Sequence, residues 1–242
     1  MRDGGRLAAA IEVLEEIEAR HRPVRLALKA WGDRSRFAGA KDRAFISGLV
    51  LDVLRRKRSL AWRMGEETPR AAVLATLRLH WGWPLARLAE AAGDEVHGHG
   101  PRTDAERAAL AAPRDLADAP APVRGDYPDW LDASMARAFG EDRAAEAAAL
   151  SERAPVDLRV NTLKTDPERA RKALAVFDAQ PPGLAANALR VAAPAAADRS
   201  AAVEADAVAQ TGEVVKQFPR AEILRLRQEL QYAAGTVIST KA

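Results

Sequence analysis

Within the stretch "LRVNTLK", Arg159, Asn161 and Lys164 stand close together. An Arg guanidinium forks a phosphate with two donors, a Lys ammonium supplies a point charge, and an Asn amide hydrogen-bonds a base edge or a sugar hydroxyl. In an extended strand successive side chains alternate, so positions 159, 161 and 163 share one face and Lys164 belongs to a turn. Leu158 and Val160 then point inward. The competing reading is a strand edge whose polar side chains simply face water.

A second cationic group is Arg55, Arg56, Lys57 and Arg58, with Arg63 nearby. It reads either as an electrostatic footprint for phosphates or as the solvated C-terminal end of a helix, where cations suit the macrodipole. If Arg55 to Arg58 prove to be buried in ion pairs, a helical interaction module without RNA becomes the favoured reading.

Other chemistries find little support. The 242 residues contain no cysteine, which excludes disulfides, thiolate metal sites and a cysteine nucleophile within this chain. His97 and His99 in "VHGHG" lack further ligands for a metal. His80, between Leu79 and Trp81, reads as a packed histidine. Glu15 and Glu16 are adjacent on a helix and point apart, so they form no dyad. In "KDR", Asp42 reads as a cap or ion-pair partner of its own helix.

The elements that position these residues are mostly helices. Leu7, Ile11, Leu14 and Ile17 recur at three- and four-residue steps, which predicts an amphipathic helix over 6–20. "VRLALKAW" follows as a short helix. Phe45, Ile46, Leu49, Val50, Val53 and Leu54 then form one stripe of what reads as the central, most buried helix. Pro69 suits the first turn of the next helix, and Trp83-Pro84 opens another. The Gly-, Pro- and Asp-rich region 93–125 predicts an irregular connection with one or two short helices. A helical pair follows over 128–153, with Trp130, Leu131, Met135 and Phe139 spaced for a core face; Trp130 and Trp31 read as core anchors. Beyond Pro155, "VDLRVN" alternates as a strand, Asp166 caps a helix with Pro167 at its first position, and "ANALRV" reads as a second strand. Ile223, Leu226 and Leu230 mark a final amphipathic helix.

Apolar residues make up 48% and charged residues 29%, enough to bury a core, and the net charge of +3 permits an anionic partner without demanding one. No apolar run approaches the roughly 18 residues of a membrane span, and the N-terminal stretch carries acidic residues where a signal peptide has an apolar region. A cytoplasmic location is the expectation.

In their order and spacing, "KDRAFISGLVLDVLRRKRSL", "YPDWLDASMARAFG" and "APVDLRVNTLKT" resemble the N-terminal half of the RsmB/Sun family of ribosomal RNA cytosine 5-methyltransferases, over about residues 6 to 200. The resemblance implies a mainly α chain. Residues 1–153 would form a NusB-like helical RNA-binding domain and residues 154–204 a small α+β strand-helix-strand domain. Residues 205–242 would be a divergent tail with one helix. It also implies a contact surface for ribosomal RNA, with Arg159, Asn161 and Lys164 facing it, and a role in 16S ribosomal RNA methylation.

The family's catalytic domain binds S-adenosylmethionine on a Gly-rich loop and uses two cysteines. Nothing after Leu189 reads as strand, Gly-rich turn and helix in that order. The expectation is therefore a truncated chain that targets RNA but holds no cofactor, no catalytic residue and no metal. Its partners would be ribosomal RNA and a methyltransferase domain missing from this chain. The alternative is a NusB-like RNA and protein adaptor of the transcription antitermination type, which would lack the 155–190 segment.

Overall fold

The computed structural model describes residues 1–183 and 185–193. The expected C-terminal helix and the tail from residue 205 lie outside the described residues. Those described fall into two compact units, residues 1–153 and 154–193.

The first unit is helical: α1 (Asp3–Arg20), α2 (Val24–Arg34), α3 (Ala40–Arg55), α4 (Lys57–Met64), α5 (Pro69–Leu79), α6 (Leu85–Ala92), α7 (Asp104–Ala111), α8 (Ala121–Arg124), α9 (Asp132–Phe139) and α10 (Arg143–Ser151). The stripes on α1 and α3 are buried as their spacing predicts, with Leu7, Ile11, Leu14, Phe45, Ile46, Leu49, Val50 and Val53 in one core. The most enclosed helix, however, is α5 rather than α3. Its residues 71–77 are buried all round, against α1, α3, α4, α6 and α7. The reason is side-chain size: Ala71, Ala72 and Ala75 let neighbours approach on faces where larger residues would hold them off. Thr68 caps α5, its hydroxyl accepting the Ala71 N–H at 3.2 Å, and Pro69 sits in the first turn where no donor is needed.

The region 93–125 holds the short helices α7 and α8. Helix α7 starts with a capping box: Thr103 N–H donates to Glu106 at 2.8 Å and Glu106 N–H to the Thr103 hydroxyl at 3.1 Å.

Two expectations fail here. Trp31 is a core residue, but Trp130 is 79% exposed, and no residue of α9 is buried. Trp130 lies in a 3-10 turn (Asp129–Leu131), so helical spacing counted through it does not carry its ring to the core. His80, the C-cap of α5, is exposed by its surface rather than enclosed, although partial burial holds its imidazole below the ordinary value.

The second unit is small. Strand β1 (Val156–Arg159) pairs antiparallel with β2 (Ala188–Val191), and α11 (Pro167–Ala173) packs on β2. Its own core comprises Leu158, Val160, Ala170, Leu174, Ala179, Leu189 and Val191. Asp166 caps α11 by accepting the Arg169 N–H at 2.9 Å, with Pro167 first in the helix. The chain is thus mainly α with a small α+β region. Among the described residues no helix is long and apolar enough to cross a membrane.

Candidate nucleic-acid interface

The pleat of β1 sends Leu158 inward, 5% exposed, and Arg159 outward. Val160 is buried at 1% exposure and Asn161 is exposed, so the alternation predicted from the sequence holds two residues past the strand. The register decides what Arg159 can pair with. Its partner across the ladder is Ala188, which offers no carboxylate. Asp157, on the same face, instead meets Arg190 directly opposite, at 2.6 and 2.8 Å. That pairing holds the Asp157 carboxyl below its usual range and raises Arg190. Arg159 makes no ion pair among the described residues.

After β1 the chain turns. Asn161 Oδ1 accepts the Leu163 N–H at 3.1 Å, and Asn161 O accepts the N–H groups of Lys164 and Thr165 at 2.9 and 3.1 Å. The Asn161 amide oxygen therefore serves the turn, and its NH₂ is the part left for a ligand. Lys164 stands in the turn, exposed, its ammonium making no ion pair among the described residues. Leu163, at the tip, is 96% exposed, a feature the sequence pattern does not single out. On α11, Arg171 pairs with Glu168 at 2.8 Å, while Arg169 and Lys172 are exposed and outside any ion pair among the described residues.

The group at 55–58 has a different character, because each member is matched to a carboxylate. Arg55 meets Asp52 at 3.1 Å, Arg56 meets Glu152 at 2.7 Å, Lys57 meets Glu18 at 2.9 Å and Glu67 at 3.5 Å, and Arg58 meets Asp129 at 2.7 Å. Arg56 is itself buried, at 7% exposure. Arg58 also donates to Tyr127 O at 2.5 Å, and next to it Ser59 N–H donates to Asp126 at 2.8 Å. The four cations therefore fasten loops and helix ends of the helical unit. They do not form a free cationic patch.

Beneath them lies Asp52, 3% exposed, which accepts from Arg153 at 2.6 and 3.1 Å, from Trp81 Nε1 at 2.9 Å and from Arg55 at 3.1 Å. Burial pushes its carboxyl up, but the Arg153 and Trp81 hydrogen bonds and the Arg55 charge more than offset this and hold it below the ordinary value. Asp42 behaves as its helix context predicts. It accepts from Gly39 N–H at 3.2 Å and from Arg6 Nε at 2.8 Å. Among the described residues, no three His, Cys, Asp or Glu side chains gather to hold a metal ion, His97 and His99 included.

Residues 127–198 match the family model of the ferredoxin-like domain of RsmF/B-like methyltransferases. No curated protein matches the chain significantly. The matched span holds α9, α10, β1, α11 and β2, together with Arg159, Asn161 and Lys164. Over these residues the chain is similar to the ferredoxin-like domain of RsmF/B-like methyltransferases, in keeping with the RsmB/Sun resemblance of its motifs.

Proposed function

We propose that this chain is the RNA-binding part of a 16S ribosomal RNA cytosine 5-methyltransferase and does not methylate by itself. The observation that carries the reading is the uncompensated charge at one end of β1. Arg159 and Lys164, with the Asn161 amide between them, lie in the family-matched span and face solvent, neither making an ion pair among the described residues. Such a set suits a phosphate backbone with one polar contact to a base or ribose. The cations at 55–58 are assigned a structural role, since their charge is already matched.

S-adenosylmethionine belongs to the family's catalytic domain. Among the described residues the two strands are antiparallel, and β1 runs into the Asn161 turn rather than a Gly-rich loop. These residues do not fit that cofactor, and no catalytic step is assigned to them. A cytoplasmic location and a methyltransferase domain as partner go with this reading.

The test is RNA binding by the whole chain at low and raised salt. Affinity for structured ribosomal RNA should fall as salt rises, with a slope set by a few phosphates. Absence of binding at low salt, or binding indifferent to salt, refutes the proposal. A second reading, a helical interaction module without RNA, is favoured by the ion pairing of Arg55 to Arg58, and the same measurement separates the two.

A further inference from the structure

The short connection from α2 to α3 is built to hold two side chains outward. Ala38 N–H donates to Ser35 O at 3.0 Å, closing a turn with Arg36 and Phe37 at its centre. Ser35 and Ala38, the ends of the turn, are buried, at 9% and 4% exposure, while Phe37 is 74% exposed and Arg36 is exposed as well. One guanidinium locks this arrangement: Arg43 donates to Ala38 O at 2.9 Å, to Gly32 O at 2.7 Å and to Ser35 O at 3.2 Å. Gly32 is needed for it, because a Cβ there would lie 2.4 Å from Arg43 Nη1.

Along the turn and into the start of α3 the charge is of one sign. Residues 35–41 hold Arg36 and Lys41 and no carboxylate. Both cations are exposed and make no ion pair among the described residues. The nearest acid in sequence after the turn, Asp42, is spent on Arg6 and Gly39. Asp33, before it, is exposed. A lone exposed phenylalanine needs no explanation. One held on a locked turn, with exposed cations before and after it in the sequence, has the make-up of a stacking platform, on which an unpaired base lies against the ring while its phosphates meet the cations.

We infer that Phe37, with Arg36 and Lys41, forms a second RNA contact, specific for single-stranded segments. This rests on the RNA-binding reading above, and it adds a site and a class of RNA that the small unit's cations do not define. A base inside a duplex is already stacked on its neighbours and cannot offer its face, so the preference for single strands follows from the ring.

The experiment uses the whole chain, a fluorescein-labelled single-stranded oligoribonucleotide of mixed sequence, and the same strand annealed into a duplex, with affinities read by anisotropy. Phe37→Ala should weaken single-strand binding roughly five- to a hundred-fold, the range of one base stacked on an aromatic ring, and leave duplex binding unaltered. Phe37→Tyr should restore it. The double substitution Arg36→Gln, Lys41→Gln should make the salt slope shallower by about 1.4, at roughly 0.7 per phosphate contact on a single strand. An unaltered single-strand affinity for Phe37→Ala, in a preparation that Arg159→Ala does weaken, overturns this inference and leaves the RNA-binding reading standing. Equal losses on both RNAs, or a lowered melting temperature for Phe37→Ala, also overturn it. No binding by the unmutated chain at low salt overturns both.

Discussion

Asp157 lies across the two-stranded sheet from Arg190, its carboxylate 2.6 Å from Nε and 2.8 Å from Nη2, and by taking that partner it leaves Arg159, opposite Ala188, without an ion pair among the described residues. If Arg159 meets phosphate, Arg159→Ala should leave the melting temperature nearly unchanged and make the salt slope of RNA binding shallower by about one. Asp157→Ala should do the opposite by releasing Arg190, steepening the slope. Two variants on one face moving in contrary directions are hard to explain by a change in folding.

Leu158 is the inward neighbour of Arg159, 5% exposed among Leu174, Leu189 and Val160. Leu158→Ala opens a cavity and should destabilise the small unit by about 2–5 kcal/mol. Differential scanning calorimetry should show a low-temperature shift that Arg159→Ala does not produce.

Asp52 gathers Arg55, Arg153 and Trp81 in the helical unit. Asp52→Asn leaves two cations facing a neutral amide, and truncating a buried ion-paired acid costs on the order of 3 kcal/mol. Because the folded carboxyl is held below its ordinary value, its contribution is present above the unfolded value, about pH 4, and fades as pH falls through the folded one. Denaturation midpoints measured from pH 7 down to pH 3 should fall more steeply for the unmutated chain than for Asp52→Asn.

Asp126 has the opposite sign. Burial raises its carboxyl despite the hydrogen bonds from Ser59 and the Arg58 backbone, so its ionised form opposes folding as pH rises above the unfolded value. It reaches from a distant loop to cap α4 through Ser59 N–H, at φ 55. Asparagine caps equally well and tolerates that backbone, so Asp126→Asn should keep or raise stability at pH 7, whereas Asp126→Ala should cost about 1–2 kcal/mol. Urea denaturation of the pair decides it; equal losses would remove the capping role.

The 242 residues carry no cysteine, and the described residues do not fit S-adenosylmethionine. The isolated chain should give no heat with that cofactor in calorimetry and transfer no methyl group to ribosomal RNA. Micromolar binding would overturn this.

Local sequence already determined much of the outcome. Helix starts at Pro69 and Pro167, the caps at Thr68 and Asp166, and the in-and-out order of Leu158, Arg159, Val160 and Asn161 follow from constraints acting within a few residues. So does the burial of the α1 and α3 stripes, since helical spacing alone sets which residues share a face. What the tertiary structure decided is partnership. Whether Arg56 or Arg159 is a free cation depends on a carboxylate far away in the chain or across the ladder: Glu152 folds back onto Arg56, and register sets Ala188 opposite Arg159. Spacing along one segment carries no information on either. The same holds for Trp130, turned out by a 3-10 turn, and for Phe37, held out by Arg43 from the next helix. Charge and apolarity are written residue by residue, but compensation belongs to pairs, and pairs are made only when the chain folds.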